Sequence, residues 1–216
     1  MNEDQEVKKM DYQFKKIKNK EEIKNCQMFH VDHYMWKQIV SPKVYGWAGY
    51  LENEGIYVKM VCEEQDPLIT CTHHKDMVCN DSAMEIFLAF CDEQEELTND
   101  VMYLNFEINA FGAMYAKYGK GRHGRQFISE DLYKISNPRA IVEKDQWSIE
   151  VLIPEQLLKE VCDFKKILEG EQFYCNFYKI AENPKIEHYA AFKEIDSQVP
   201  NFHLPVSFAK AVVENK

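Results

Sequence analysis

"MYLNFEINA" (102–110) and "AMYAKYG" (113–119) meet across a short connection that ends in Gly112. In the first run Leu104, Phe106 and Ile108 alternate with Asn105, Glu107 and Asn109. Alternation of period two puts the apolar set on one face of a strand and the polar set on the other. Two such runs joined by a short turn containing glycine read as a β-hairpin.

The pattern recurs along the chain. "KVYGWAGYL" (43–51) and "IYVKMVCEE" (56–64) flank "ENEG", where Gly55 can take positive φ. "RAIVEK" (139–144) and "WSIEVLIP" (147–154) flank Asp145 and Gln146. "SAMEIFLAF" (82–90), "QFYCNFYKIA" (172–181), "EHYAAFKE" (187–194) and "SFAKAVVE" (207–214) are further strand-like runs, and "YQFKKI" (12–17) reads as an edge strand. Helix signals are sparse. "EQLLKEV" (155–161) follows Pro154, a good first-turn residue. "KEEIKNCQMFHVDHYMW" (20–36) has mixed spacing and reads as irregular or a short helix. Strands at hairpin spacing with little helix between them predict an all-β protein. The expected form is an antiparallel β-sandwich or barrel with one or two short helices. Residues 1–10 read as a polar tail and 11–216 as one domain, because no repeat, linker or low-complexity tract divides them.

The chain carries 36 acidic and 26 basic residues, a net charge of −10. That balance repels phosphate backbones and anionic membrane surfaces, so neither nucleic acid nor membrane is an expected partner. A neutral ligand is not penalised. No apolar run approaches the length of a membrane-spanning helix. The 7 cysteines are odd in number and include no C-x-x-C pair, which favours free thiols and a reducing compartment. With no apolar leader in "MNEDQEVKKM" the expected location is cytoplasmic, or secreted if a leader has been trimmed.

Several constellations fail as chemistry. "GKGRHG" (119–124) matches G-x-G-x-x-G, but "RQFISEDLYK" follows without a sustained helical stripe, so a dinucleotide fingerprint is not expected. The same segment reads as a basic loop (Lys117, Lys120, Arg122, Arg125), able to offer Arg122 or Arg125 to a ligand's hydroxyls or carboxylate. His30-x-x-His33, and Cys71 with His73, His74 and Cys79, are incomplete zinc patterns. No calcium loop occurs, so no cofactor is expected beyond a structural calcium from the acidic loops, and "CDEQEE" (91–96) reads as a solvated charge run. No G-x-S-x-G is present, and the acidic residues are too many for the sequence to single out a glycosidase pair.

The polar residues inside strands are more informative. Asn105, Asn109 and Asn176 are poor strand formers, so their presence needs another reason. Together with Glu85, Glu107 and Tyr178 they supply the donors and acceptors that sugar hydroxyls need. "PNFHLPVSF" (200–208) is a proline-stiffened loop presenting Phe202 and His203, either as the lid of a core or toward a ligand.

"DSAMEIFLAF", "YLNFEINAFG", "WSIEVLIP", "CNFYKIAE", "HYAAFKE" and "PNFHLPVSFAKAVVE" resemble, in order, the blocks of carbohydrate-binding module family 9-like proteins, over roughly residues 43–214. The resemblance implies an immunoglobulin-like or jelly-roll-like β-sandwich that binds xylan-like or cellulose-like glycans, or small sugars, without catalysis. It implies an aromatic clamp with Phe202 as the stacking platform and one jaw, His203 as a hydrogen-bonding neighbour beside it, and Trp47 or Tyr50 as the other jaw. Glu85, Asn105 or Glu107, and Asn176 with Tyr178, fall at its polar positions. Two departures stand out: phenylalanine replaces the usual tryptophan at 202, and Ala209 replaces a usual glycine. A glycoside-acting enzyme and an interaction module that has lost its sugar remain the alternatives.

Overall fold

The computed structural model describes residues 10–91 and 96–214. The polar tail predicted at 1–10 falls outside them but for Met10, and so does most of the acidic run "CDEQEE".

The strands are β1 (Tyr12–Ile17), β2 (Met28–His30), β3 (His33–Gln38), β4 (Lys43–Leu51), β5 (Gly55–Glu63), β6 (Ala83–Phe90), β7 (Met102–Asn109), β8 (Met114–Lys120), β9 (Gln126–Phe127), β10 (Arg139–Val142), β11 (Trp147–Pro154), β12 (Phe173–Ala181), β13 (His188–Ala191) and β14 (Ala209–Val213). Three short helices join them: α1 (Glu130–Ser136), α2 (Glu155–Val161) and α3 (Phe164–Leu168).

The three predicted hairpins form as β4–β5, β7–β8 and β10–β11. The helix expected after Pro154 is α2. Gly55 has φ of +140°, and a Cβ there would lie 2.1 Å from the carbonyl oxygen of Ile153, so only glycine fits where the hairpin turn meets β11. The segment 20–36 resolves into a 3-10 turn (Lys20–Asn25), β2 and the start of β3.

The expected antiparallel sandwich needs one correction. The strands form a curled mixed sheet in the order β10-β11-β5-β4-β1-β14-β12-β6-β7-β8-β9. Both neighbours of β1 run parallel to it: Tyr12–Phe14 pair with β14, and Lys15–Ile17 pair with β4. Such pairs cannot come from tight turns. β1 meets β4 only after β2 and β3 have intervened, and meets β14 only at the far end of the chain. It therefore hinges two layers, one built on β4, β5 and β11 and the other on β12, β6, β7 and β8.

The main core lies between the layers. Met84, Ile86, Leu88 and Phe90 of β6 face Val58, Met60, Ile149 and Val151 within it, and helix residues Leu132, Leu157, Leu158 and Phe164 close its edges. A smaller core covers the opposite face of β6, where Ala83, Phe87 and Ala89 pack with Val78, Ile195, Phe202 and Phe208 from loops. β6 is thus buried on both faces, which is why its sequence is almost continuously apolar.

Loops roof this second core. Asp81 ties down one of them. Its carboxylate accepts from the Thr70 and Cys71 N–H groups at 2.8–2.9 Å and from Asn109 Nδ2 at 2.8 Å. Those bonds hold its pKa below the usual carboxylate range despite burial. Asn109 therefore serves loop anchorage, which explains one strand asparagine.

A buried ionic knot links the layers. Glu64 Oε2 accepts from Trp147 Nε1 at 2.9 Å and from Ser82 Oγ, and lies 3.6 Å from Lys179 Nζ. Lys179 also donates to Ser82 Oγ at 2.8 Å and to His188 Nε2 at 2.9 Å. Burial and the Lys179 charge push the His188 pKa down to about 4, so the imidazole is a neutral acceptor.

Candidate functional site

Register, rather than spacing along the chain, assembles the site. Across the layer Tyr178, Glu85, Glu107 and Tyr115 stand side by side in one row. Asn176, Phe87, Asn105 and Lys117 form the next row. Residues directly opposite in antiparallel pairs share a face. Both rows therefore point to the side away from the main core, beneath the loops.

A cavity of about 410 Å³ opens over the first row. Glu85, Glu107, Tyr115 and Lys117 form its floor and one side. The 200–203 loop closes a second side, the segment with Met77 and Cys79 a third, and the β8–β9 connection with Arg122, His123 and Arg125 a fourth. Ile180, Glu182 and Tyr189 complete the wall.

The electrostatics of the floor are unusual. Glu85 and Glu107 are opposite one another and both buried. Like charges in that position repel, and desolvation penalises each ionised form. Burial, then Glu107 and Glu182, raise the Glu85 pKa well above its ordinary value. Burial pushes Glu107 up to about 7, opposed by a 2.7 Å hydrogen bond from Asn105 Nδ2 and by the Arg125 charge. Raised pKa values favour protonation of the pair, and a carboxyl that keeps its proton can donate to a hydroxyl while its ionised neighbour accepts.

A polar chain runs from the floor to the loop. Asn105 donates to Glu107 and accepts from Arg125 Nη1. Arg125 Nη2 lies 3.2 Å from His203 Nδ1, and Tyr103 OH lies 3.1 Å from the same nitrogen. Guanidinium only donates, so Nδ1 accepts and the ring proton sits on Nε2. Burial and the neighbouring cations push the His203 pKa down to about 3, consistent with a neutral ring. Arg122 Nη1 donates to Asn201 Oδ1 at 2.7 Å, and that oxygen also accepts from His203 N–H at 3.1 Å. The loop and the basic segment are thereby tied together.

The predicted site residues separate into three groups. Glu85, Glu107, Arg122, Phe202 and His203 line the cavity. Asn105 and Tyr178 stand behind it, the first orienting Glu107 and Arg125, the second supporting the loop. Asn176 and Trp47 are elsewhere. Asn176 clips the chain after β13: its Oδ1 accepts from Lys193 N–H and its Nδ2 donates to Lys193 O, both at 2.9 Å. Trp47 lies on the outer face of the other layer, 7% exposed, packed with Tyr57, Val61 and Leu152. Tyr50 is in the main core with its hydroxyl on Glu155 at 2.9 Å. Neither Trp47 nor Tyr50 can be the opposing jaw. Trp47→Phe is expected to lower stability by about 1–2 kcal/mol through lost packing and to leave sugar affinity unchanged, checked by denaturant melts and calorimetric titration.

Phe202 also needs correcting. Its ring is only 5% exposed. One face stacks on Tyr178, with centroids 4.1 Å apart and planes 10° from parallel, while Trp36 leans on it at 5.7 Å and Tyr189 meets it edge-on. Tyr178 OH donates to the Phe202 carbonyl at 3.3 Å. Phe202 is a packed wall with little free ring. The reading of the sequence missed Tyr115, half-buried in the floor row, and Trp36, half-buried beside Phe202. Alternation in β8 pairs Tyr115 with Lys117 against Met114 and Ala116, so Tyr115 was legible. Trp36, with φ of 58°, carried no such signal.

Among the described residues no group of three or more His, Cys, Asp or Glu side chains could hold a metal ion. His30, His33, His73, His74 and Cys71 line no part of the cavity.

Comparison with known proteins bears on this arrangement. No curated protein matches the chain. Among solved structures, a Bacteroides uniformis ATCC 8492 protein with an inferred carbohydrate-binding role is 18% identical, with a TM-score of 0.75 over 94% of this chain and 98% of that one. A family 9 carbohydrate-binding module from Caldicellulosiruptor kristjanssonii, in complex with cellotriose, is 10% identical with a TM-score of 0.61, covering 95% and 94%. A family 9 module from the same organism in complex with glucose is 10% identical with a TM-score of 0.56, covering 90% and 87%. At such identities these likenesses speak for the fold. The model of the family described as Carbohydrate-binding family 9 matches residues 14–212, from β1 into β14. With all the layers and the cavity inside that match, the chain belongs to carbohydrate-binding family 9.

Proposed function

We propose that the cavity over Glu85 and Glu107 binds a pyranose, and that the protein is a non-catalytic module for sugars of cellulose-like or xylan-like glycans. One observation carries the reading most strongly. Two buried carboxyls, Glu85 and Glu107, face one another across β6 and β7 and line a concavity alongside the half-buried Tyr115 ring, with the pKa of each raised, first by burial. Protonated and ionised carboxyls side by side match vicinal hydroxyls, which each donate and accept. Tyr115 offers a ring face to the apolar side of the sugar. The cellotriose and glucose complexes of structurally similar family 9 modules support the ligand class.

Calorimetric titration with glucose, cellotriose and xylo-oligosaccharides tests this. Saturable heat is expected with at least one of them, weakened about tenfold in Glu85→Gln, since a hydrogen bond to a charged or charge-sharing group contributes roughly 1.5–3 kcal/mol. Flat heats with every sugar contradict the reading.

A second reading, a glycoside-acting enzyme, draws on the same pair, because a carboxyl with a raised pKa is suited to protonate a leaving oxygen. Turnover of chromogenic glycosides that disappears in Glu107→Gln would favour it over the binding module.

A further inference from the structure

In a chain of net charge −10, positive charge gathers at one side of the cavity. Two of the three arginines in the sequence, Arg122 and Arg125, lie there with Lys117. Elsewhere lysines find carboxylates, as in Lys37–Glu187, Lys59–Glu150 and Lys193–Asp11. Among the described residues none of Lys117, Arg122 and Arg125 has a carboxylate within 4.0 Å. Their hydrogen-bond and ring partners are neutral, while Glu107 of the floor acts on Arg125 and Lys117 at longer range. Arg122 donates to the Asn201 amide oxygen. Arg125 donates to Asn105 and His203 and lies 4.3 Å over the Tyr103 ring, with its Nε buried and unpartnered among the described residues. Lys117 lies over the Tyr115 and Phe127 rings at 5.1 and 4.4 Å.

Amide oxygens and ring faces orient a cation without neutralising it. Three such cations on one wall form a ready site for an anion, and the planar guanidinium fork suits a carboxylate in particular. The floor does not oppose this. Burial raises the pKa of both Glu85 and Glu107, so at mildly acidic pH a ligand's carboxylate at the rim does not meet two full negative charges.

We propose that the cavity selects a sugar that itself bears a carboxylate, a hexuronate, with the carboxylate on the Lys117, Arg122 and Arg125 wall and the ring hydroxyls on Glu85 and Glu107. The proposal rests on the sugar-binding reading of the same cavity. It narrows the ligand from a neutral pyranose to one oxidised at the exocyclic carbon.

Glucose and glucuronate differ only at that carbon, so paired titrations at pH 6 and low salt isolate its effect. Glucuronate is expected to bind at least about tenfold tighter than glucose, as a charge-assisted pair implies. The preference should shrink as salt is raised. Arg122→Gln, in the cavity wall, is expected to weaken glucuronate binding several-fold more than glucose binding and so to remove most of the preference. Arg139→Gln, at the third arginine and away from the cavity, is expected to preserve it. Glucose 6-phosphate serves as a control anion. Tighter binding of that sugar than of glucuronate would overturn the assignment to a carboxylate. Equal affinity for glucose and glucuronate would overturn the proposal and leave the sugar-binding reading standing. Absence of binding by any sugar would overturn both.

Discussion

Phe202→Ala is expected to lower the unfolding free energy by about 3 kcal/mol, the lower part of the range for emptying a buried phenylalanine site. The ring is stacked on Tyr178, leaned on by Trp36 and met edge-on by Tyr189, so its removal leaves a void in the second core. An open stacking platform would behave otherwise: affinity would fall and stability would hardly move. The two roles therefore separate cleanly. Denaturant melts of the wild type and of Phe202→Ala and Phe202→Leu check the assignment. The leucine variant should recover more than half of the loss because it refills most of the volume. A stable Phe202→Ala with sugar binding abolished would restore the platform reading. If the wall reading holds, the aromatic contact to a sugar passes to Tyr115, whose ring lies in the floor row.

The second large effect concerns pH. Glu107 is raised to about 7 from the ordinary carboxylate value of 4.5, first by burial. The groups around it are Glu85 on β6, Glu182 after β12, Asn105 on its own strand, Lys117 on β8 and Arg125 beyond it. A carboxyl whose folded pKa is raised binds its proton more tightly folded than unfolded. Stability is then highest below about pH 4.5 as far as this group is concerned, and falls as pH rises through 4.5 to 7. A separation of that size corresponds to roughly 3 kcal/mol, shared with the coupled Glu85. Glu107→Gln keeps the shape and removes the titration. It is expected to be more stable than wild type by about 2–3 kcal/mol at pH 8, and nearly equal to it at pH 4.5. Melts across pH 4–8 measure the difference. A variant less stable than wild type at pH 8 would contradict the burial of a strained carboxylate pair. The stability given up at this site fits a floor arranged for a ligand rather than for folding.

Much of the fold was legible because hairpins are local. Gly55 and the alternation of Leu104, Phe106 and Ile108 specify their turns and faces within a few residues, and Pro154 marks the start of α2. The parallel pairs of β1 were not legible, because their partners lie far along the chain and nothing in "YQFKKI" encodes direction. α1 was missed because its seven residues hold too little of a stripe, although Ser129 caps it by accepting from Leu132 N–H at 3.3 Å. For the site, alternation correctly put Glu85, Asn105 and Glu107 on the face away from the main core. It could not say what covers that face, since Val78 comes from the segment before β6 while Ile195, Phe202 and Phe208 come from the connection between β13 and β14, far along the chain. Trp47 and Tyr50 came from the resemblance and not from alternation; the topology places their strand, β4, in the layer away from the cavity.

A crystal structure of the protein soaked with glucose or cellotriose tests the central claim most directly. The sugar is predicted in the cavity between Tyr115 and the 200–203 loop, with hydroxyl oxygens at hydrogen-bond distance, about 2.5–3.0 Å, from Glu85 or Glu107. Sugar bound on the outer face beside Trp47, or an empty cavity in a protein that binds sugar in solution, would contradict it.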